Sequence, residues 1–498
     1  MKRAFAITVL LILPAVLMLG TVAPAAEEPA PLYIMDLTRP DTGRIGITLQ
    51  LQSASSPLVL EMQDSYGSGL VVDLASHVVD EAAFDASGSP LPVRREGNIW
   101  YVEGRGDISF TYEVDVSGYR AGTEYLDSMP WSETPWPFFP LLDAGLAYLP
   151  GYTVFIHPAD GGEYQPRLEL DLPERWRSAL PWADQPASLY ELLSNPVCAG
   201  ELALKEGDSL LVALPSSSAA ASGDGAAEYA AKAGKLLATA EGMLGGLGRS
   251  GDVRLLVFLL LRGESGGEAT ALYPSAPFSR SAVIAAPASA DILSDAVIAA
   301  TAESLAGMWL EANVPAATEA LWLRQGAAAY LGGLIPYQAG LWGAQAFWDR
   351  FHLGYGAYRE ARGRLQASLA ESGALAPAGG DASVLLSYGG AAACAAIDSE
   401  LRSLQAGTGD LAALLRDLAA VAGGGVPITN DDVRARLQAA SGRDWSSFFR
   451  DYVQGGQEIP ASAFSSLNVA PPEGSATPGG LPEGSASTSD WIMIAVAV

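Results

Sequence analysis

The amino-acid sequence predicts an α+β protein of several domains, an N-terminal all-β sandwich followed by a mainly helical unit. Three observations carry this. Apolar and polar residues alternate in short runs up to about residue 215, the period-two pattern of half-buried strands. From residue 226 onward the apolar residues recur at helical spacing over much longer runs. Between the two patterns lies a small-residue stretch, residues 216–225 (SSSAAASGDG), with the composition of a linker. Of the 498 residues 49% are hydrophobic and 17% charged, which supplies a large core and excludes a disordered chain or a coiled coil.

The elements follow in chain order. Lys2 and Arg3 precede an apolar run, residues 4–19, and Ala23, Pro24 and Ala25 supply small residues for cleavage. This three-part pattern reads as a secretory signal over residues 1–25, so the mature chain is expected to be extracytoplasmic, secreted or associated with the cell surface. The β-sandwich domain spans 26–215. Its strands are expected at 43–52 (GRIGITLQLQ), 99–102, 108–116, 152–156 and 168–172, with turns at 86–90 (ASGSP) and 158–162 (PADGG). Residues 130–140 (PWSETPWPFFP) read as an aromatic loop packed between strands.

The second unit spans 226–460. Helix 226–247 is followed by two apolar runs of strand length, 253–261 (VRLLVFLLL) and 282–286. Helices are then expected at 291–312, 316–334, 341–351, 355–372, 384–404, 410–418, 430–441 and 444–453. Residues 461–498 form a Pro-, Gly- and Ser-rich linker ending in DWIMIAVAV (490–498). Nine residues are too few to span a bilayer, which takes about 20. The tail is either an interfacial or packed end or the start of an anchor, and membrane association through either terminal apolar segment stays open.

Charge and rare residues narrow the function. Lys plus Arg number 29 against 56 Asp plus Glu, a net charge of −27 that repels phosphate backbones, so no nucleic-acid partner is expected. Two cysteines, Cys198 and Cys394, exclude a disulfide framework or a thiolate cluster and are expected as two buried free thiols. The three histidines, His77, His157 and His352, are too scattered to assemble a histidine-based zinc site.

Two central phrases carry the most information, TAESLAGMW (301–309) and LWLRQGAAAYL (321–331). On periodicity alone Trp309, Trp322, Tyr330 and Tyr388 read as core aromatics, and Glu303 as a carboxylate on an Ala-rich helix. In order and spacing, however, the phrases resemble the core of the gluzincin metallopeptidases, the group that includes the aminopeptidase N-like and glycyl aminopeptidase families. Those families place H-E-x-x-H on one helix and a glutamate ligand on the next, so that two imidazoles and a carboxylate hold Zn²⁺ and the intervening glutamate activates a metal-bound water. Here Ala302 and Ala306 fall on the histidine positions and Gln325, after eighteen intervening residues, on the third-ligand position; Glu303 falls on the base position. A register shifted by one, suggested by Trp309, instead sets Glu303 and Gly307 at the ligand positions and Ser304 at the base. Neither register supplies a histidine.

The resemblance extends over roughly residues 31–460. Ser387, Tyr388, Gly389, Gly390 and Ala391 resemble the segment whose tyrosine stabilises the oxyanion in those families. Residues 426–460 resemble the end of the catalytic module, and Leu172, Pro173, Glu174, Arg175 and Trp176 resemble part of the glycyl aminopeptidase β domain. The run Gly266, Gly267, Glu268 lacks the Asn or His of a substrate-amine-binding strand. The resemblance implies a sandwich plus a thermolysin-like helical module, without the metal ligands. The expected function is that of a pseudo-peptidase: no cofactor, no catalysis, Glu303 and Tyr388 as remnants, and an unidentified protein or peptide held in the old cleft. The alternatives are a metal-independent hydrolase using Glu303 and Tyr388, or a purely structural surface module. Glu311 and Glu319, the carboxylates nearest Glu303 in sequence, are expected to face elsewhere.

Overall fold

The computed structural model describes residues 30–66, 71–121, 136–207, 209–218, 221, 224–246, 255–262, 275–376, 380–404, 409–423, 425–467 and 469. The stretch read as a secretory signal, the Gly266–Glu268 run, most of the 130–140 loop and most of the C-terminal tail lie outside these residues.

The N-terminal part is built from β-sheets. A six-stranded sheet runs Arg167–Asp171, Leu32–Asp36, Arg44–Ala54, Gly106–Asp115, Val78–Asp85, Pro90–Leu91, and a four-stranded sheet centred on Leu58–Glu61 and Ile99–Val102 shares its core. Alternation explains the faces: Ile45, Ile47, Leu49 and Leu51 point inward, while the residues between them point to solvent or are half-buried. Residues 152–156, expected as a strand, instead form a buried 3-10 turn, Gly151–Thr153, and its exit. Gly151 explains the difference: a Cβ there would lie 2.1 Å from the Leu192 carbonyl oxygen, so the backbone turns against the short helix Leu189–Leu193.

A five-stranded sheet joins the two parts. Its strands are β1 (Leu202–Glu206), β2 (Leu210–Pro215), β3 (Leu255–Arg262), β4 (Ser275–Pro277) and β5 (Ser281–Pro287), in the order β1-β2-β3-β5-β4, with β2, β3 and β5 parallel. The sequence pattern anticipates two strands here; β1 and β2 precede residues 216–225 yet pair into the same sheet. Both faces are buried, which is why β3 and β5 read as continuous apolar runs. Leu210, Val212, Leu255, Val257 and Ile284 pack on the helices, while Leu211, Ala213, Leu256, Phe258 and Val283 pack on the β-domain. Fully buried Asn195 pins the joint: its amide oxygen accepts from the Arg280 N–H at 2.8 Å and its amide nitrogen donates to Ser279 Oγ at 2.7 Å.

The helical part comprises α1 (Gly225–Leu244), α2 (Asp295–Asn313), α3 (Leu321–Gln338), α4 (Ala344–Arg364), α5 (Leu369–Leu375), α6 (Gly390–Ser403), α7 (Leu411–Val421) and α8 (Asn430–Ser441). The expected helices 341–351 and 355–372 redistribute. Gly354 and Gly356 do not interrupt α4, and a capping box between Ser368 and Glu371 starts α5. Helices α3 and α6 cross at Gly326 and Gly390, where a Cβ on Gly326 would lie 2.1 Å from the Gly390 carbonyl carbon. Residues Asp381–Ser403, long and apolar enough to cross a membrane, are packed into the helical core.

Candidate functional site

Helix α2 begins at Ser294, whose hydroxyl accepts from Val297 N–H, and is buried on nearly every side. Glu303, Gly307 and Glu311 recur every fourth residue and so form one stripe along it. The stripe faces antiparallel α3, where Gly332 permits a close approach: a Cβ there would lie 2.9 Å from Glu303 Cβ. A cavity of about 30 Å³ opens along the stripe. Glu303, Ser304, Gly307 and Glu311 supply one wall, and Arg324, Gln325 and Ala328 of α3 supply another. Ser275 and Pro277 of the edge strand β4 complete it.

Ala302 and Ala306 are fully buried in the helical core and do not line this cavity. Gln325 is therefore brought together with Glu303, Ser304 and Gly307, not with the two alanines. Glu311, expected to face elsewhere, lines the same cavity; eight residues from Glu303 is just over two helical turns, which returns it to the same face. Glu319 does face elsewhere, accepting from the Asn430 backbone N–H at 3.2 Å.

Glu303 is not free. Arg350 Nη2, from α4, donates to Glu303 Oε2 at 3.0 Å, and the two side chains are only 12% and 26% exposed. Burial raises the Glu303 pKa, and the Arg350 charge opposes that rise. Arg350 Nη1 is buried without a hydrogen-bond partner. The same guanidinium lies beside Tyr388, whose pKa burial pushes up to about 12 against the pull of Arg350. Tyr388 sits on a π-helical turn, Leu385–Gly389, ahead of α6. Gly354 makes room for its ring, since a Cβ there would lie 2.7 Å from Tyr388 Cδ1. A second cavity of about 20 Å³ lies on this side, bounded by Tyr330, Phe347, Arg350 and Tyr388.

The remaining aromatic residues of the two phrases are structural. Trp322 Nε1 donates to Asn430 Oδ1 at 2.9 Å, and Tyr330 donates to Asp398 Oδ2 at 2.8 Å; Trp309 is buried in the core. The histidines are dispersed: His77 stacks on Tyr119, His157 sits 3.9 Å from Glu61, and His352 packs on Trp348. Cys198 and Cys394 are free and buried. Arg350 is the residue that sequence reasoning missed. Its signal was a lone cation at helical spacing among Phe347, Phe351 and Gly354, on the apolar face of α4.

No protein-family model matches the chain, and no curated protein matches it. Among solved structures it is similar to an aminopeptidase N family protein from Idiomarina loihiensis, at a TM-score of 0.69 and 14% identity over 87% of this chain and 77% of that one. It is also similar to an M1 zinc metallopeptidase mutant from Deinococcus radiodurans bound to a Tyr-Ser-Ala substrate, at a TM-score of 0.50 and 14% identity over 86% of this chain and 95% of that one. The fold of this chain is that of these M1 metallopeptidases: N-terminal β-sheets followed by a helical region.

The residues present do not fit the zinc ion such a fold implies. Zinc takes thiolate, imidazole and carboxylate donors in a tetrahedral set. The cavity offers a carboxylate already bonded to a guanidinium, a second carboxylate, Glu311, at the exposed mouth beside Arg324, a glycine, a neutral amide and a serine hydroxyl, with no imidazole or thiolate. Arg350 and Arg324 offset the charges of Glu303 and Glu311, so the cavity presents no net negative charge to a dication. Among the described residues, no three His, Cys, Asp or Glu side chains converge as a metal site.

Proposed function

We propose that this chain is a zinc-free relative of the M1 peptidases that binds a peptide or protein segment outside the cytoplasm without cleaving it. The observation that carries the reading is the Glu303–Arg350 ion pair. In a working site a carboxylate here would be free to hold the metal or to take a proton from water, whereas this one is held by a fixed internal cation. The geometry favours the shifted register, in which Glu303 and Gly307 stand at the ligand positions and Arg350 supplies the positive charge that the metal would bring.

A metal-free hydrolase using Glu303 and Tyr388 is disfavoured by the same geometry. Tyr388 keeps its proton to about pH 12, and acid catalysis by carboxylates alone needs two of them sharing a proton. Glu303 is paired with Arg350 instead, and Glu311, just over two turns along the helix, feels the charge of Arg324. Export rests on the N-terminal signal pattern, and the acidic surface argues for a protein or peptide partner over a nucleic acid.

The test is an aminopeptidase assay on the purified mature chain with a panel of aminoacyl fluorogenic amides, with and without added zinc. The reading expects no turnover above a heat-denatured control in either case. Saturable hydrolysis that disappears in Glu303→Gln would establish the hydrolase instead.

A further inference from the structure

Once Glu303 is committed to Arg350, several polar groups of the α2–α3 cavity remain unspent. Ser304 is 1% exposed, and its hydroxyl has no hydrogen-bond partner. Gln325 is buried, and its carboxamide makes no side-chain hydrogen bond among the described residues. Arg324 and Glu311 feel each other's charge, yet neither forms an ion pair with a described residue. Buried polar groups are ordinarily satisfied, so the buried Ser304 hydroxyl and Gln325 carboxamide, beside the solvent-reaching Arg324 and Glu311, point to a guest that satisfies them.

Size and charge identify the guest. On this measure of space one water occupies about 10–15 Å³, so about 30 Å³ holds two or three non-hydrogen atoms. That is a single functional group inserted from a larger ligand. The charges around the cavity balance, with Arg324 and Arg350 against Glu303 and Glu311. A carboxylate guest would face Glu311, and an ammonium guest would face Arg324. A neutral group with both an acceptor and donors meets neither penalty. A carboxamide fits: its oxygen accepts from Arg324, Ser304 or the Gln325 amide nitrogen, and its N–H groups donate to Glu311 or the Gln325 oxygen. Gln325 is itself a carboxamide and so is complementary to a second one. The mouth is accessible, since Glu311 is exposed and lies near Tyr190, a side chain 67% exposed on the adjoining β-domain.

We propose that the α2–α3 cavity, where Ser304 and Gln325 are left without side-chain partners among the described residues, is a specificity pocket for a primary carboxamide carried by the bound peptide. This rests on the reading of the cleft as a non-hydrolytic binding site. The carboxamide comes either from an Asn or Gln side chain or from an amidated chain end.

The experiment is isothermal titration of the full mature chain with acetylated, methylamide-capped pentapeptides of alanine whose central residue is Gln, Glu, Lys or norleucine. A fifth peptide carries norleucine and a C-terminal primary amide. The Gln peptide is expected to bind at least about tenfold tighter than the Glu, Lys and norleucine peptides, the discrimination typical of a buried polar group left unpaired by the wrong guest. If the terminal amide alone gives that preference, the pocket reads a chain end and the proposal stands with that source. Gln325→Leu is expected to abolish the preference, and Gln325→Glu to move it toward Lys, each with an unchanged thermal midpoint. Equal binding of all five peptides, a preference for Glu or Lys in the wild type, no binding of any, or a preference surviving Gln325→Leu would overturn the pocket. Hydrolysis would instead contradict the non-catalytic reading while leaving a measured carboxamide preference intact.

Discussion

Arg350 Nη2 donates to Glu303 Oε2 at 3.0 Å across the contact between α4 and α2, in a place where burial leaves little water to screen either charge. This single pair links the sequence anomaly to the architecture. Helix α2 supplies the carboxylate, at a position that the sequence resemblance sets against a metallopeptidase's metal site, and α4 supplies its counter-ion.

The pair should be worth measuring as a double-mutant cycle. Removing one partner of a buried pair costs about 3–5 kcal/mol, and partial exposure of Glu303 lowers the expectation for Arg350→Met to roughly 2–3 kcal/mol. Combining Arg350→Met with Glu303→Gln should recover most of that loss, because the uncompensated charge is gone. Urea unfolding at pH 7 reads both values; a single-mutant cost below roughly 0.5 kcal/mol would place the pair among ordinary surface ion pairs.

The pH dependence has a definite sign. Because burial raises the Glu303 pKa, the folded state binds more protons than the unfolded state just above the ordinary carboxylate value. Stability contributed by protonated Glu303 is therefore lost as pH rises through that window and is level above it. Asp432 acts in the opposite sense: its hydrogen bonds from Thr429 lower its pKa, so its contribution is lost as pH falls. The difference in unfolding free energy between wild type and Glu303→Gln should shift toward the variant as pH increases from about 4 and then plateau. A difference that shifts toward wild type would mean that Arg350 outweighs burial.

Two glycine substitutions should separate close packing from mere flexibility. Gly326→Ala drives a Cβ to 2.1 Å from the Gly390 backbone and should cost about 3 kcal/mol or more, or prevent folding. Gly356→Ala meets nothing within 4 Å and should stabilise α4 by about 0.5–1 kcal/mol. Thermal midpoints of the two variants make the comparison directly.

The site makes a register-specific prediction about restoration. Ala302→His with Ala306→His and Gln325→Glu forces two imidazoles into a filled core, and is expected to destabilise the chain without creating a zinc site. Glu303→His with Gly307→His, Gln325→Glu and Arg350→Leu places the donors on the cavity wall and removes the competing cation. That variant should bind zinc measurably above wild type, although no added residue accepts a hydrogen bond from the imidazoles to orient them. Zinc titration with a competing chelator distinguishes the two. Preferential binding by the Ala302 and Ala306 variant would restore the first register.

What the sequence made legible follows from how local each signal is. Helix α8 coincides with the expected 430–441, because a capping box from Thr429 to Asp432 and a C-terminal Gly442 mark its ends in the sequence itself. Residues 152–156 misled because their apolar, β-branched run has the composition of a strand, but a backbone contact between Gly151 and the distant Leu192 bends the chain into a turn. The continuity of α4 through Gly354 was hidden because glycine weakens a helix without ending it when the flanking aromatic residues are buried. The scarcity of histidine and cysteine was visible in the composition alone. The compensating Arg350 was not, since it lies 47 residues from Glu303 and only the packing of α4 on α2 brings them together.

The most direct test of the central claim is the metal content of the purified mature chain, by plasma mass spectrometry after zinc loading and exhaustive dialysis. The account predicts far less than one zinc per chain, because Glu303 is held by Arg350 and Gly307 and Gln325 offer neither imidazole nor carboxylate. About one zinc per chain, lost on Glu303→Gln, would contradict it.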